Sequence, residues 1–225
     1  MSQQTDPNVI QYLGLRKAVG IIGVSLPFLL IIGRWIGEGF GFEPTISDYY
    51  YTNMGDVFVG CMCAIGIFLM SVRGFNLSDR IAGLIAFVFA VTVAFFPTTD
   101  KSGSVVEPGY ISTVHITSAA LLFTTLAYFC LFEFTKMAPN PTQRKLKRNT
   151  VYRVSGITIL ISIVLIAVFK GGDLYAQYKP GLIFESLAIE AFGIAWLTKG
   201  EAILKDEIPP QPDPERDRMT AAAGR

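Results

Sequence analysis

Charge is the first thing this chain is short of. Only 16% of its 225 residues are Asp, Glu, Lys or Arg, against roughly 25% in an average soluble domain. Half of the residues (51%) are apolar and the mean hydropathy is +0.45, which excludes an ordinary water-soluble domain. A net charge of +1 leaves no basic surplus for a nucleic-acid backbone, so no nucleic-acid partner is expected. Histidine occurs once, as His115, so a three-histidine metal centre cannot be assembled. Cysteine occurs three times, as Cys61, Cys63 and Cys130, each inside an apolar run. Thiols so placed build no extracellular disulfide framework and no zinc site, and are expected as small core residues. No cofactor motif is present, and neither cofactor nor metal is expected.

Long apolar runs are what the chain has in abundance. A bilayer core takes about 20 residues of helix, and six runs qualify, at about 14–36, 55–72, 80–97, 111–134, 151–170 and 181–200. The first, although preceded by Arg16 and Lys17, ends in Gly-Arg-Trp-Ile-Gly-Glu with no small-x-small cleavage site, so it is expected to remain as a helix. Between the runs, Gly37–Thr52, Thr98–Gly109 and Gly171–Pro180 are rich in glycine, proline and polar residues, as connections are. The expected fold is all-α, a polytopic membrane helical bundle with six transmembrane helices. Its divisions are a segment 1–12, a transmembrane domain 13–205 and a proline-rich, charged tail 206–225 that cannot bury enough apolar surface to fold.

The positive charges are sorted by side. If connections alternate across the membrane, 15 of the 19 lysines and arginines fall on the side of the termini, and Arg34, Lys101, Lys170 and Lys179 on the other. The positive-inside rule makes the rich side cytoplasmic, which gives a multi-pass inner-membrane protein with both termini inside. Within this pattern the stretch Thr142–Arg148 is read as an orientation signal, with affinity for anionic headgroups as its lesser reading. Small residues at helical spacing, Gly20 with Gly23, Gly60 with Ala64, and Ala82 with Ala86 and Ala90, are read as packing faces.

Chemically suggestive residues collect at the outer side. The first outer loop carries Ser47, Asp48, Tyr50 and Asp56, the third run ends at Asp100, the fourth contains His115, and Glu185 lies about one turn into the sixth. These seven form a candidate outer-face pocket. His115, roughly 6 Å inside its span at 1.5 Å per residue, reads as a proton carrier, a metal ligand or an interhelical hydrogen-bonding group. Asp56 also suits the positive end of a helix. Carboxylates within a span are expensive and mark function by default. Glu185 and Glu190, five residues and about 140° apart, do not share a face. Glu190, near mid-span, is the candidate intramembrane proton site, expected as a neutral acid bonded to a neighbouring helix.

The string Ile46-Ser-Asp-Tyr-Tyr-Tyr-Thr, a span opening Asp56-Val-Phe-Val-Gly, then Phe96-Pro-Thr, His115 and a last span ending Ala191-Phe-Gly-Ile-Ala-Trp-Leu-Thr-Lys-Gly-Glu201 resemble a family of bacterial six-helix integral membrane proteins. The resemblance covers most of residues 10–205 and implies fold and membrane location, with no activity attached. A more distant similarity links Ser47, Asp48 and His115 to the alkaline ceramidase and adiponectin receptor superfamily, which arranges a serine, an aspartate and three histidines around intramembrane zinc. One histidine cannot complete that set. The reading that follows is a lipid or small-ligand binding or scaffold protein. A proton-coupled transporter or channel and a ceramidase-like intramembrane hydrolase are the alternatives. Membrane lipids are the expected partners, and self-association is not predicted.

Overall fold

A run of apolar residues in lipid must satisfy its own backbone hydrogen bonds, and a helix does so within a single segment. The computed structural model describes residues 7–71, 77–100, 108–169 and 177–205, and these form six helices: α1 (Pro7–Glu38), α2 (Gly55–Ser71), α3 (Leu77–Phe95), α4 (Gly109–Tyr128), α5 (Gln143–Val168) and α6 (Pro180–Lys199). A 3-10 turn, Ser47–Tyr51, precedes α2, and a π turn, Phe129–Glu133, prolongs α4. No strand occurs among the described residues.

Five of these helices are long and apolar enough to cross a membrane. The exception is α2, apolar but only 17 residues long, or about 26 Å against a hydrocarbon core of about 30 Å. Outward faces carry large apolar side chains, among them Phe28 and Ile32 on α1, Leu84 and Val88 on α3, and Ile161 and Val164 on α5, all 47–59% exposed. Water would penalise that surface, and lipid does not.

Two boundaries differ from the sequence reading. Helix α1 begins at Pro7, so the division at residue 12 falls inside it. Helix α5 begins at Gln143 and takes the basic stretch into its first two turns, with Thr142 as N-cap accepting the Lys145 amide at 3.1 Å. The tail 206–225 lies outside the described residues.

Each helix packs against its chain neighbour, and α6 closes back onto α1, so the six form a ring. Small residues set the seams. A Cβ added to Gly20 would stand 2.6 Å from the Leu197 nitrogen, and one added to Gly193 would stand 2.7 Å from the Val24 nitrogen. The α2–α3 seam is built the same way, with Ala82, Ala86 and Ala90 buried and Gly83 against the Leu69 carbonyl. Gly60 is a correction: it is exposed, with nothing within 4 Å of an added Cβ, and does not pack. Cys130 is buried as expected, but Cys61 and Cys63 are only half-buried.

The end of the ring where α1 begins and α6 ends is here called the base, and the opposite end the crown. At the crown, Trp35, Phe40 and Phe42 cluster with ring centroids 4.9–5.6 Å apart, and Phe40 is 81% exposed. Such aromatic groups suit the level of lipid headgroups.

Candidate functional site

The crown is assembled on the N-terminus of α6. The first amides of a helix lack intrahelical partners, and the segment before the 3-10 turn supplies them: the Leu182 amide donates to the Pro44 carbonyl at 2.8 Å. One turn further, Glu185 accepts the Ser47 amide at 3.2 Å. Lys179, in the left-handed region at φ 47°, donates to the Phe42 carbonyl. These contacts seat Thr45, Ser47 and Asp48 as buried residues over the ring.

Asp48 is the centre of the polar cluster. Its amide donates to Thr45 Oγ1 at 3.0 Å, and its Oδ1 accepts the Thr98 hydroxyl at 2.9 Å. Tyr51 donates to the Thr98 carbonyl at 2.6 Å, so the segment after α3 is held from both sides. Tyr49 is wholly buried, and burial raises its pKa.

His115 is 2% exposed, and its Nδ1 lies 2.6 Å from the Phe96 carbonyl. A carbonyl only accepts, so Nδ1 carries the proton. Phe96 follows the last residue of α3, where helix carbonyls lose their intrahelical partners. The imidazole therefore caps the C-terminus of α3, and Asp48 is the charged group whose field reaches it. Ser118, three residues on, is buried beside it in sequence.

The other expected residues divide. Asp100 is buried two residues beyond Thr98. Tyr50 is half-buried, its ring edge-on to Tyr51 at 5.1 Å. Asp56 is exposed in the first turn of α2, where its charge suits the positive end of the helix, and is not among the buried residues of the cluster. Ser47 and Glu185 also roof a narrow cavity of about 40 Å³ inside the ring, enough for one or two waters. Below them its lining is apolar, with Phe58, Met62, Val93, Leu122 and Phe192.

Glu190 faces elsewhere. It lines a groove of about 580 Å³ between α5 and α6, with Thr150, Ser155, Thr158 and Leu187. Its Oε1 is buried without a hydrogen-bond partner among the described residues, so the expected bond to a neighbouring helix is not made by that atom.

A second polar region, at the base, escaped the sequence reading. Buried Glu133, in the π turn, accepts Tyr128 Oη at 2.8 Å and pairs with Lys136, which also lies 3.8 Å from Asp79. Lys145 donates to the Phe134 carbonyl at 2.7 Å, and Arg148 lies 3.8 Å from Glu201. No group of three or more His, Cys, Asp or Glu side chains is arranged to hold a metal among the described residues.

The apolar helices and their closed packing define a membrane-embedded helical protein. No protein-family model, curated protein or solved structure matches the chain.

Proposed function

We propose that this chain is a six-span protein of the bacterial inner membrane, with both termini cytoplasmic, whose crown binds a lipid headgroup or another small polar ligand. The observation that carries the reading is the burial of Asp48 beside His115 and Thr98, next to a roof formed by Ser47 and Glu185. Acidic residues gathered at one end of an apolar bundle carry a desolvation cost and are functional-site candidates by default. With Asp48, Asp100 and Glu185 at one end, the ligand is one that offers hydrogen-bond donors or positive charge, such as an amine-bearing headgroup.

Transport along the ring axis is less well supported, because the cavity under Glu185 is narrow and apolar, and Glu190 lines the groove outside it. Zinc-dependent hydrolysis is also less well supported, because His115 is the one histidine and its Nδ1 is committed to a carbonyl. The test is a native mass spectrum of the purified chain. We expect a bound small molecule or lipid whose occupancy falls in Asp48→Asn and Glu185→Gln. A spectrum free of adducts, or adducts indifferent to both substitutions, overturns the reading.

A further inference from the structure

The base carries a cluster of cations drawn from three helices. Arg16 of α1 stacks over the Tyr12 ring at 4.0 Å, and its Nε is buried without a hydrogen bond among the described residues. Lys199, the last residue of α6, lies 5.1 Å from the Phe134 ring centroid. Lys145 reaches the Phe134 carbonyl from α5 and lies 5.5 Å from the Tyr152 ring. Arg148, one turn along α5, is 7% exposed. The like charges acting most strongly on Lys199 are those of Arg16, Lys145 and Arg148, with the Asp79 carboxylate next in line as the opposing charge.

Cations do not gather in this way without a cost. Like charges held close together repel one another, and partial burial weakens the screening that salt provides on an open surface. The floor beneath them is rigid: Phe134 meets Tyr152 and Trp196 edge-on at 5.3 and 5.1 Å. Gly200 fixes the approach of α6 to α1, since an added Cβ there would stand 2.9 Å from the Lys17 nitrogen. The ammonium and guanidinium groups thus converge because the backbone seam brings them together; Glu201, 3.8 Å from Arg148, and the Asp79 carboxylate offset part of their repulsion, and an added anion relieves it further. Guanidinium forks suit phosphate oxygens, and basic pockets between spans at the cytoplasmic level suit phospholipid headgroups.

We propose that the base of the ring, between α1, α5 and α6, is a binding site for a phosphate-bearing anion, held by Arg16, Lys145, Arg148 and Lys199. The source is an anionic phospholipid of the leaflet at that end or a soluble phosphate, and the experiment separates them.

The full chain is reconstituted in phosphatidylcholine nanodiscs, with or without phosphatidylglycerol, and its melting temperature is followed. A third arm adds inorganic phosphate to phosphatidylcholine alone. The wild type is expected to melt higher with phosphatidylglycerol. A gain there and none with inorganic phosphate assigns the lipid source, and a gain with inorganic phosphate assigns the soluble one. At about 1 kcal/mol per cation, Lys199→Met and Arg16→Gln each weaken the apparent affinity about fivefold. Lys147→Met, on the α5–α6 groove, keeps it. In phosphatidylcholine alone Lys199→Met is expected to be no less stable than the wild type, because it removes a like charge. If that variant does not fold, Arg16→Gln against Arg16→Lys gives the same comparison. Equal melting in all three arms, a gain that survives both substitutions, or equal destabilisation of Lys199→Met with and without the anionic lipid overturns the proposal.

Discussion

Glu185 Oε2 accepts the backbone amide of Ser47 at 3.2 Å, across 138 residues of chain. The bond ties the first crown segment to the last helix at a half-buried position. An amide donor needs only an acceptor, and a glutamine carbonyl can supply one. Glu185→Gln should therefore fold and melt close to the wild type, whereas Glu185→Ala should lose about 1–3 kcal/mol of stability. Equal melting temperatures for the alanine and glutamine variants in detergent would show that the bond does not hold the crown.

Two glycines, Gly193 on the α1–α6 seam and Gly60 on the exposed face of α2, should respond in opposite ways. At Gly193 an added methyl meets backbone atoms, Val24 N at 2.7 Å and Gly20 O at 3.0 Å, so the helices must part. Gly193→Ala should cost about 1–3 kcal/mol. Gly60→Ala meets nothing and removes a residue of poor helix propensity, so it should leave stability unchanged or raise it by up to about 1 kcal/mol. A tolerant Gly193 would count against the packed seam.

Glu190 is predicted to be dispensable for folding. Its Oε1 is buried without a partner among the described residues, against a mostly apolar groove, so Glu190→Leu exchanges an unsatisfied polar atom for a side chain that suits its surroundings. The variant should gain about 1–3 kcal/mol. A loss of more than about 1 kcal/mol on thermal melting would mean that the carboxyl has a structural partner.

Lys136 gives a pH signature. Its hydrogen bond to Glu133 comes first among the effects that raise its pKa above the ordinary 10.5, with burial opposing it and Asp79 assisting. A raised value in the folded state means a contribution that is complete below the unfolded pKa and is lost as pH climbs through the folded one. The melting difference between the wild type and Lys136→Met should thus be constant between about pH 5, above which Glu133 is ionised in both states, and about pH 10, and close above it. Because the side chain is 46% exposed the difference will be modest. A difference that grows with alkalinity has the wrong sign for this pairing.

Orientation is testable by labelling. In a background with Cys61, Cys63 and Cys130 replaced by alanine, a cysteine at Gln177, near the crown, should react with an impermeant thiol reagent in intact cells. One at Gln143, at the base, should not. Both positions are exposed, so burial does not confuse the result. Reaction at Gln143 alone reverses the topology.

What was legible in the sequence followed from composition and helical periodicity. Glu185 and Glu190 were separable because their spacing turns them apart, and one lines the inner cavity while the other lines the outer groove. Gly20 and Gly23 were legible as a seam, but Gly60 was not separable from them, since small size says nothing about which face meets a neighbour. The partner of His115 was hidden because it is a main-chain carbonyl at a helix end. The base was hidden for another reason. Arg16, Lys145, Arg148 and Lys199 were read as orientation charges, and only ring closure brings residues so distant in sequence to one place.

Ring closure also has a consequence for biosynthesis. Helix α1 is made before the other five helices, yet its glycine seam is filled by α6, which is made after them. Until translation passes α6, α1 has no permanent neighbour on that side, and Gly20 and Gly23 remain open to lipid or to a foreign helix. The nascent ring therefore stays open from the time α1 is made until α6 is made. A truncation that removes only α6 exposes both α1 and α5, which makes such products natural clients for membrane quality control.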